Sequence, residues 1–318
     1  MKTFVVFGIL LAGLFAVDSY VARVDETRTF AEGDAADKTV VDVVQGLGLS
    51  TLAMLVERAG LVSTLKGKGP FTVFGPTDDA FLQLPLNVRQ ALLLNNTLLT
   101  DVLTYHVVGS SVFSKDISQG KLVPSLYAKT NIRFNTYPIG ETPMVVTATG
   151  APINLKQVDQ NATNGVVHVL ERVMFPVPEN DLVTVAKAVP ELSDLVDALV
   201  KTKLDKALTG DGPFTVFAPT NAAFSKVPKN LTVDDLTGIL KYHVVDTNLP
   251  TVYSAGLQNN QKVLTLNTTD ITVKIDGGHV ELVDSTKVPG RVITPDVSVT
   301  NGVVHVIDKV LIPPKPSN

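Results

Sequence analysis

FTVFGPTDDAF, from Phe71 to Phe81, returns 143 residues later as FTVFAPTNAAF, from Phe214 to Phe224. Two more segments return in the same order. YHVV (Tyr105–Val108) recurs at Tyr242–Val245, and NGVVHV (Asn164–Val169) recurs at Asn301–Val306, both at an offset of 137. The six-residue difference falls between the first and second motifs, where the first copy carries a longer loop containing Asn95. Offsets that agree this closely, with one localised insertion, mean that one domain occurs twice. The copies span about 38–177 and 181–314, joined at Val177-Pro178-Glu179-Asn180. A linker this short, stiffened by Pro176 and Pro178, is expected to keep the domains close.

Periodicity sets the elements around these boxes. Leu52, Leu55, Val56 and Ala59 follow i, i+3, i+4, i+7 behind Ser50, which predicts a capped amphipathic helix. Ser193, Leu195, Ala198, Leu199 and Thr202 repeat it. Phe71–Phe74 is a short β-rich run ending at Gly75-Pro76, after which Thr77 is placed to cap the next helix, as is Thr220. Leu99, Val102 and Leu103 predict a second amphipathic helix, matched by Leu236, Ile239 and Leu240. The rest of each copy is β-rich. Asn164-Gly165 and Asn301-Gly302 signal a hairpin, with Asn-Gly accommodating the positive φ angles of a tight turn. Helices in the first half and strands in the second argue for an α+β fold over a parallel βαβ sheet.

Composition narrows the function. The 318 residues are 45% hydrophobic and 18% charged, enough apolar content to fold about two domains without metals or disulfides. With 27 Lys+Arg against 31 Asp+Glu, the chain lacks the basic excess of a nucleic-acid binder. The absence of cysteine excludes disulfide scaffolds, thiolate zinc sites and Cys nucleophiles. Residues 1–22 read as a secretory signal: Lys2, the apolar run Phe4–Val17, and small residues at Ala16, Ser19 and Ala22. Asp18 ends that run short of a membrane span, and Ile312–Asn318 is Pro-rich and polar. The mature chain is therefore expected to be extracellular, without membrane insertion. Asn95, Asn161, Asn230 and Asn267 each open an Asn-x-Thr sequon and are candidate glycosylation sites.

The FTVFxPT-x-x-AF box, the Tyr-His pair after a helix, and the TNGVVHV-x-x-V box (Thr163–Val173; Thr300–Val310) together resemble the fasciclin-type domain. The resemblance implies a compact module in which a β-sandwich-like wedge carries helices packed on one side. It also implies a secreted or surface-attached protein of cell adhesion and extracellular matrix, not known as an enzyme. The Cys-rich N-terminal module and four-domain array of some members are missing, so matrix cross-linking through that module is not carried over. In such members, short Asp-containing segments ahead of the TNG box, with the Tyr-His segment, are implicated in integrin recognition. The matching candidates for receptor binding are Pro295, Asp296 and Val297, with Tyr242, His243 and, in the first copy, Asp159. An exposed carboxylate can complete the coordination of a receptor-held cation. The competing reading is that both aspartates shape the hairpin through side-chain to backbone hydrogen bonds. Tyr105 and Tyr242 are read as half-buried strand residues, and no Arg-Gly-Asp tripeptide occurs.

Four of the five histidines lie in the repeated boxes, with His106 and His168 spaced 62 apart, as are His243 and His305. Such a pair could ligate a metal or act as acid and base. However, His106 extends the apolar stripe from Leu99 and His168 sits in a Val-rich strand, so both suit core histidines bonded to backbone. No carboxylate recurs at fixed spacing beside both pairs to complete a ligand set. Gly-x-Ser-x-Gly and His-Glu-x-x-His are absent, and Gly46-Leu-Gly48 and Gly67-Lys-Gly69 lack the later glycines of a phosphate loop. Asp78-Asp79 suits a helix start better than a metal pair. No catalytic residue, cofactor or metal is therefore assigned. The expected function is surface recognition of integrin-like cell receptors or matrix proteins, with a homo-oligomer left open. Two alternatives remain: an extracellular carrier for a small apolar ligand and a hydrolase. The first needs a large apolar pocket, the second a His beside an acid and a nucleophile.

Overall fold

The computed structural model describes residues 38–138, 144–228 and 230–315, and the expected signal at 1–22 lies outside them. The described chain divides between Pro176 and Val177 into two compact units. In the first, helices α1 (Val40–Gly46), α2 (Ser50–Arg58) and α3 (Val62–Leu65) precede β1 (Phe71–Pro76). Helices α4 (Asp78–Leu82), α5 (Leu86–Leu94) and α6 (Asn96–Tyr105) follow, then strands β2 (Val107–Val108), β3 (Leu122–Pro124), β4 (Asn131–Pro138), β5 (Met144–Ala148), β6 (Ala151–Pro152), β7 (Gln160–Ala162) and β8 (Gly165–Leu170). They form two four-stranded sheets, ordered β2-β1-β8-β7 and β3-β4-β5-β6.

The second unit repeats the plan with α7 (Leu182–Lys187), α8 (Ser193–Thr202), α9 (Asp205–Leu208), β9 (Phe214–Pro219), α10 (Asn221–Phe224) and α11 (Val233–Tyr242). Strands β10 (Lys262–Leu264), β11 (Asp270–Asp276), β12 (His279–Val283), β13 (Pro289–Val299) and β14 (Gly302–Ile307) complete one six-stranded sheet, ordered β10-β11-β12-β13-β14-β9. The segregated α+β plan holds, with one parallel pair per unit: β1 beside β8, and β9 beside β14.

That parallel pair explains why two of the repeated boxes read as near-continuous hydrophobic runs. Val216, Ala218, Val304 and Val306 face a helical core with Leu195 and Leu199. Phe217 and Ile307 face the opposite core with Tyr242, Val273 and Leu282. A strand covered on both faces loses the polar half of the alternating pattern.

Four local expectations need correction. Ser50 and Ser193 do not cap their helices. Instead Asp78 Oδ1 accepts from Thr51 N–H at 2.7 Å, and Asn221 Oδ1 from Asp194 N–H at 3.0 Å, so the first residue of α4 caps α2 and that of α10 caps α8. The hairpin turns are Thr163-Asn164 and Thr300-Asn301, because Ala162 pairs with Gly165 and Val299 with Gly302. The glycines are needed for close approach: a Cβ on Gly165 would stand 2.0 Å from Phe71 O, and one on Gly302 2.1 Å from Phe214 O. The asparagines are buried hubs. Asn301 accepts from Leu182 N–H and donates to the carbonyls of Leu208 and Gly210, and Asn164 does the same with Val40, Leu65 and Gly67. Finally, the insertion in the first copy is no loop; it is the helix α5.

Candidate recognition site

Tyr105 and Tyr242 end helices rather than lying in strands, and both are fully buried, with exposures of 0% and 1%. Tyr242 OH donates to Asp270 O at 2.8 Å, and burial, helped by Asp284 and Asp270, pushes its phenol up to about 12. His106 and His243 follow as the C-caps of α6 and α11. His106 Nδ1 donates to Val102 O at 2.8 Å, and its Nε2 accepts from Met174 N–H at 2.9 Å. His243 repeats this with Ile239 O and Leu311 N–H. Each ring is a neutral tie between a helix end and the last segment of its unit. Burial outweighs the hydrogen bond to the helix carbonyl and holds both at about 4.

The second pair of histidines sits at the parallel strands. His168 stacks on Phe74 at 5.3 Å and His305 on Phe217 at 5.5 Å, joining the first and last boxes of each repeat. His168 Nε2 donates to Val112 O and His305 Nε2 to Val252 O, while their Nδ1 atoms accept from the N–H groups of Asp159 and Asp296 at 3.2 Å. Burial depresses the His168 pKa against the opposing pull of Val112 and Asp159.

The candidate aspartates belong to this arrangement. Asp296 lies in an irregular stretch of β13, where the pairing with β14 shifts between Thr294 and Val297. Its φ is +61°, that of Asp159 +55°. A short polar side chain that bonds locally tolerates this region best. Asp296 Oδ1 accepts from Ser254 N–H at 2.6 Å, and Oδ2 accepts from the Ser254 hydroxyl. Asp159 holds Ser114 the same way, with N–H to Oδ1 at 2.8 Å. Each carboxylate therefore starts a 3₁₀ turn, Ser114–Asp116 or Ser254–Gly256, and lies 3.9 or 3.8 Å from its histidine.

A carboxylate does recur beside one histidine of each pair, nine residues ahead, contrary to the sequence reading. That spacing was the available signal; Ser114 and Ser254 carried none. The trio does not form the proton relay of a Ser-His-Asp triad, because His Nε2 is spent on a buried carbonyl and the serine bonds the acid, not the base. Among the described residues no group of three or more His, Cys, Asp or Glu could hold a metal ion.

Of the receptor candidates, Tyr242, His243 and Val297 are 1%, 1% and 8% exposed, so they are packing residues and not contacts. Pro295 is half-buried, and the side chain of Asp296 is 14% exposed against 34% for Asp159. Asn95, Asn161 and Asn230 are exposed, and Asn95 also caps α6 through its oxygen, leaving the nitrogen for a glycan. Asn267 differs, because its side-chain nitrogen donates to Gly238 O at 2.6 Å.

Comparison with known proteins agrees with this duplicated architecture. The Fasciclin domain matches residues 47–176 and again residues 190–313. The chain belongs to the fasciclin domain family. Human periostin is 33% identical over 275 residues, covering 84% of this chain and 31% of periostin. The pig transforming growth factor-beta-induced protein ig-h3 is 32% identical over 278 residues, covering 84% of this chain and 38% of ig-h3. The fasciclin chain thus spans about a third of the length of these relatives. A solved FAS1 domain pair from the insect cell adhesion molecule fasciclin I is 20% identical, with a TM-score of 0.41, covering 84% of this chain and 98% of that one. No helix among the described residues is long and apolar enough to cross a membrane.

Proposed function

We propose that this tandem fasciclin protein is a secreted, glycosylated adhesion or matrix protein that acts by surface recognition and without catalysis. The observation that carries the proposal is the alignment of both fasciclin domains with periostin and ig-h3 over 84% of the chain. The exposed sequons Asn95, Asn161 and Asn230 suit passage through a secretory route. The partners are integrin-like cell receptors or matrix proteins. Recognition through the Asp296 carboxylate would require breaking both bonds to Ser254, so the contact surface lies elsewhere on the domains.

The test is to express the chain in animal cells, recover it from the medium and immobilise it. Saturable cell attachment and a mass increase removed by a glycosidase are expected. A chain retained in the cells, or one on which no cells attach, overturns the proposal.

A further inference from the structure

The two copies differ in one place that has a chemical consequence. Thirteen residues separate Pro85 from Leu99, but only seven separate the matching Pro228 from Leu236. The extra residues form most of α5, which buries Val88 and Leu92, four apart on one face, to 2% and 3% exposure. Arg58 at the end of α2 donates to Leu93 O near the C-terminus of α5 at 2.5 Å. In this copy Leu99, Phe81 and Leu84 are 1%, 5% and 7% exposed.

The second copy has no such helix. Leu236, Phe224 and Val227, which match those three residues, are only half-buried. They floor a groove of about 320 Å³ between α8 and α11, with Ile239 and Val310. Its rim carries exposed Asp194, Asp197 and Lys201 along one side of α8, where the first copy has Thr51, Met54 and Arg58.

We propose that this groove docks an amphipathic helix of a partner protein, with aliphatic side chains at i and i+4 and a basic residue on its flank, in the place that α5 fills in the first copy. Burying an aliphatic pair removes apolar surface from water on both sides. Lys201 receives the carbonyl end of the docked helix as Arg58 receives Leu93. Asp194 and Asp197 then face its N-terminal end, where the helix dipole is positive and a Lys or Arg finds its partner. The docked chain uses the helix-in-groove mode of recognition. The inference is independent of the adhesion proposal.

The probe is a synthetic peptide of the chain's own Leu84–Asn96, titrated into the full-length, methyl-labelled protein. Saturable shifts at Ala198, Leu236, Ile239 and Val310 are expected. Affinity should fall about tenfold in the Asp194→Lys/Asp197→Lys variant, as the flank turns repulsive. It should vanish when residues 229–235 are replaced by residues 86–98, which supplies the cover in cis. No saturable shift, undiminished binding to that replacement variant, or equal binding of a scrambled peptide overturns the proposal. Shifts from an acyl probe but none from the peptide would identify an apolar-ligand groove and overturn it equally.

Discussion

At the scale of single residues, the repeated histidines and aspartates are tools of folding. The sequence showed His106 and His243 as core residues because they extend a helical stripe, and the structure adds the bond each makes to the last segment of its unit. Their folded pKa of about 4 lies below the unfolded 6.5, so the unfolded state takes up protons first as pH falls. Stability should be full above pH 6.5 and decline toward pH 4, by about 2 kcal/mol per histidine at pH 5. Urea midpoints between pH 7 and 5 check this, and a flat profile would contradict the neutral assignment. The aspartates were legible only as hairpin residues near a turn; that they hold a serine 42 or 45 positions upstream is a tertiary fact beyond local pattern. Asp296→Ala should cost about 1–3 kcal/mol, because it strips Ser254 of its acceptors and leaves Ala at positive φ. A thermal midpoint equal to wild type would disprove the capping role.

Among elements, legibility followed hydrophobic period. The stripes of α2, α8, α6 and α11 were visible and the buried faces match them, except at Leu236 of α11, which stays half-buried. Helix α5 was missed because LNVRQALLL is apolar nearly all round, so the inserted residues read as a lengthened loop. The Asn-Gly signal located the hairpin correctly but by the wrong mechanism, since Gly302 serves the approach of Phe214 and Asn301 ties α7 and α9 to the turn. Asn301→Ala should therefore destabilise the second unit by about 3 kcal/mol, with Leu182 N–H and two carbonyls losing their partner. Gly302→Ala, with a Cβ 2.1 Å from a carbonyl oxygen, should prevent that unit from folding. Hydrogen exchange that shows equal protection of β14 in these variants and wild type would refute both roles.

For the molecule as a whole, three short boxes in repeated order were enough to reveal two copies and their family, because each box lies at a crowded contact of the fold. Phe74 meets His168, His106 meets Met174, and Asn164 meets α1. The difference between the copies was visible only as an offset of six residues, and its effect, an open groove in one copy and buried counterparts of its floor in the other, arises from tertiary packing that local pattern does not show. Two copies of one domain can engage clustered partners so that weak contacts sum to useful avidity. Recognition by the folded surface, with Asp296 spent inside the fold, is tested most directly by cell attachment to immobilised wild type and Asp296→Ala at a temperature where both are folded. The account predicts saturable attachment to both proteins at similar coating density. Attachment lost only in a folded Asp296→Ala variant would make that carboxylate a contact residue, and no attachment to wild type would contradict the adhesive role itself.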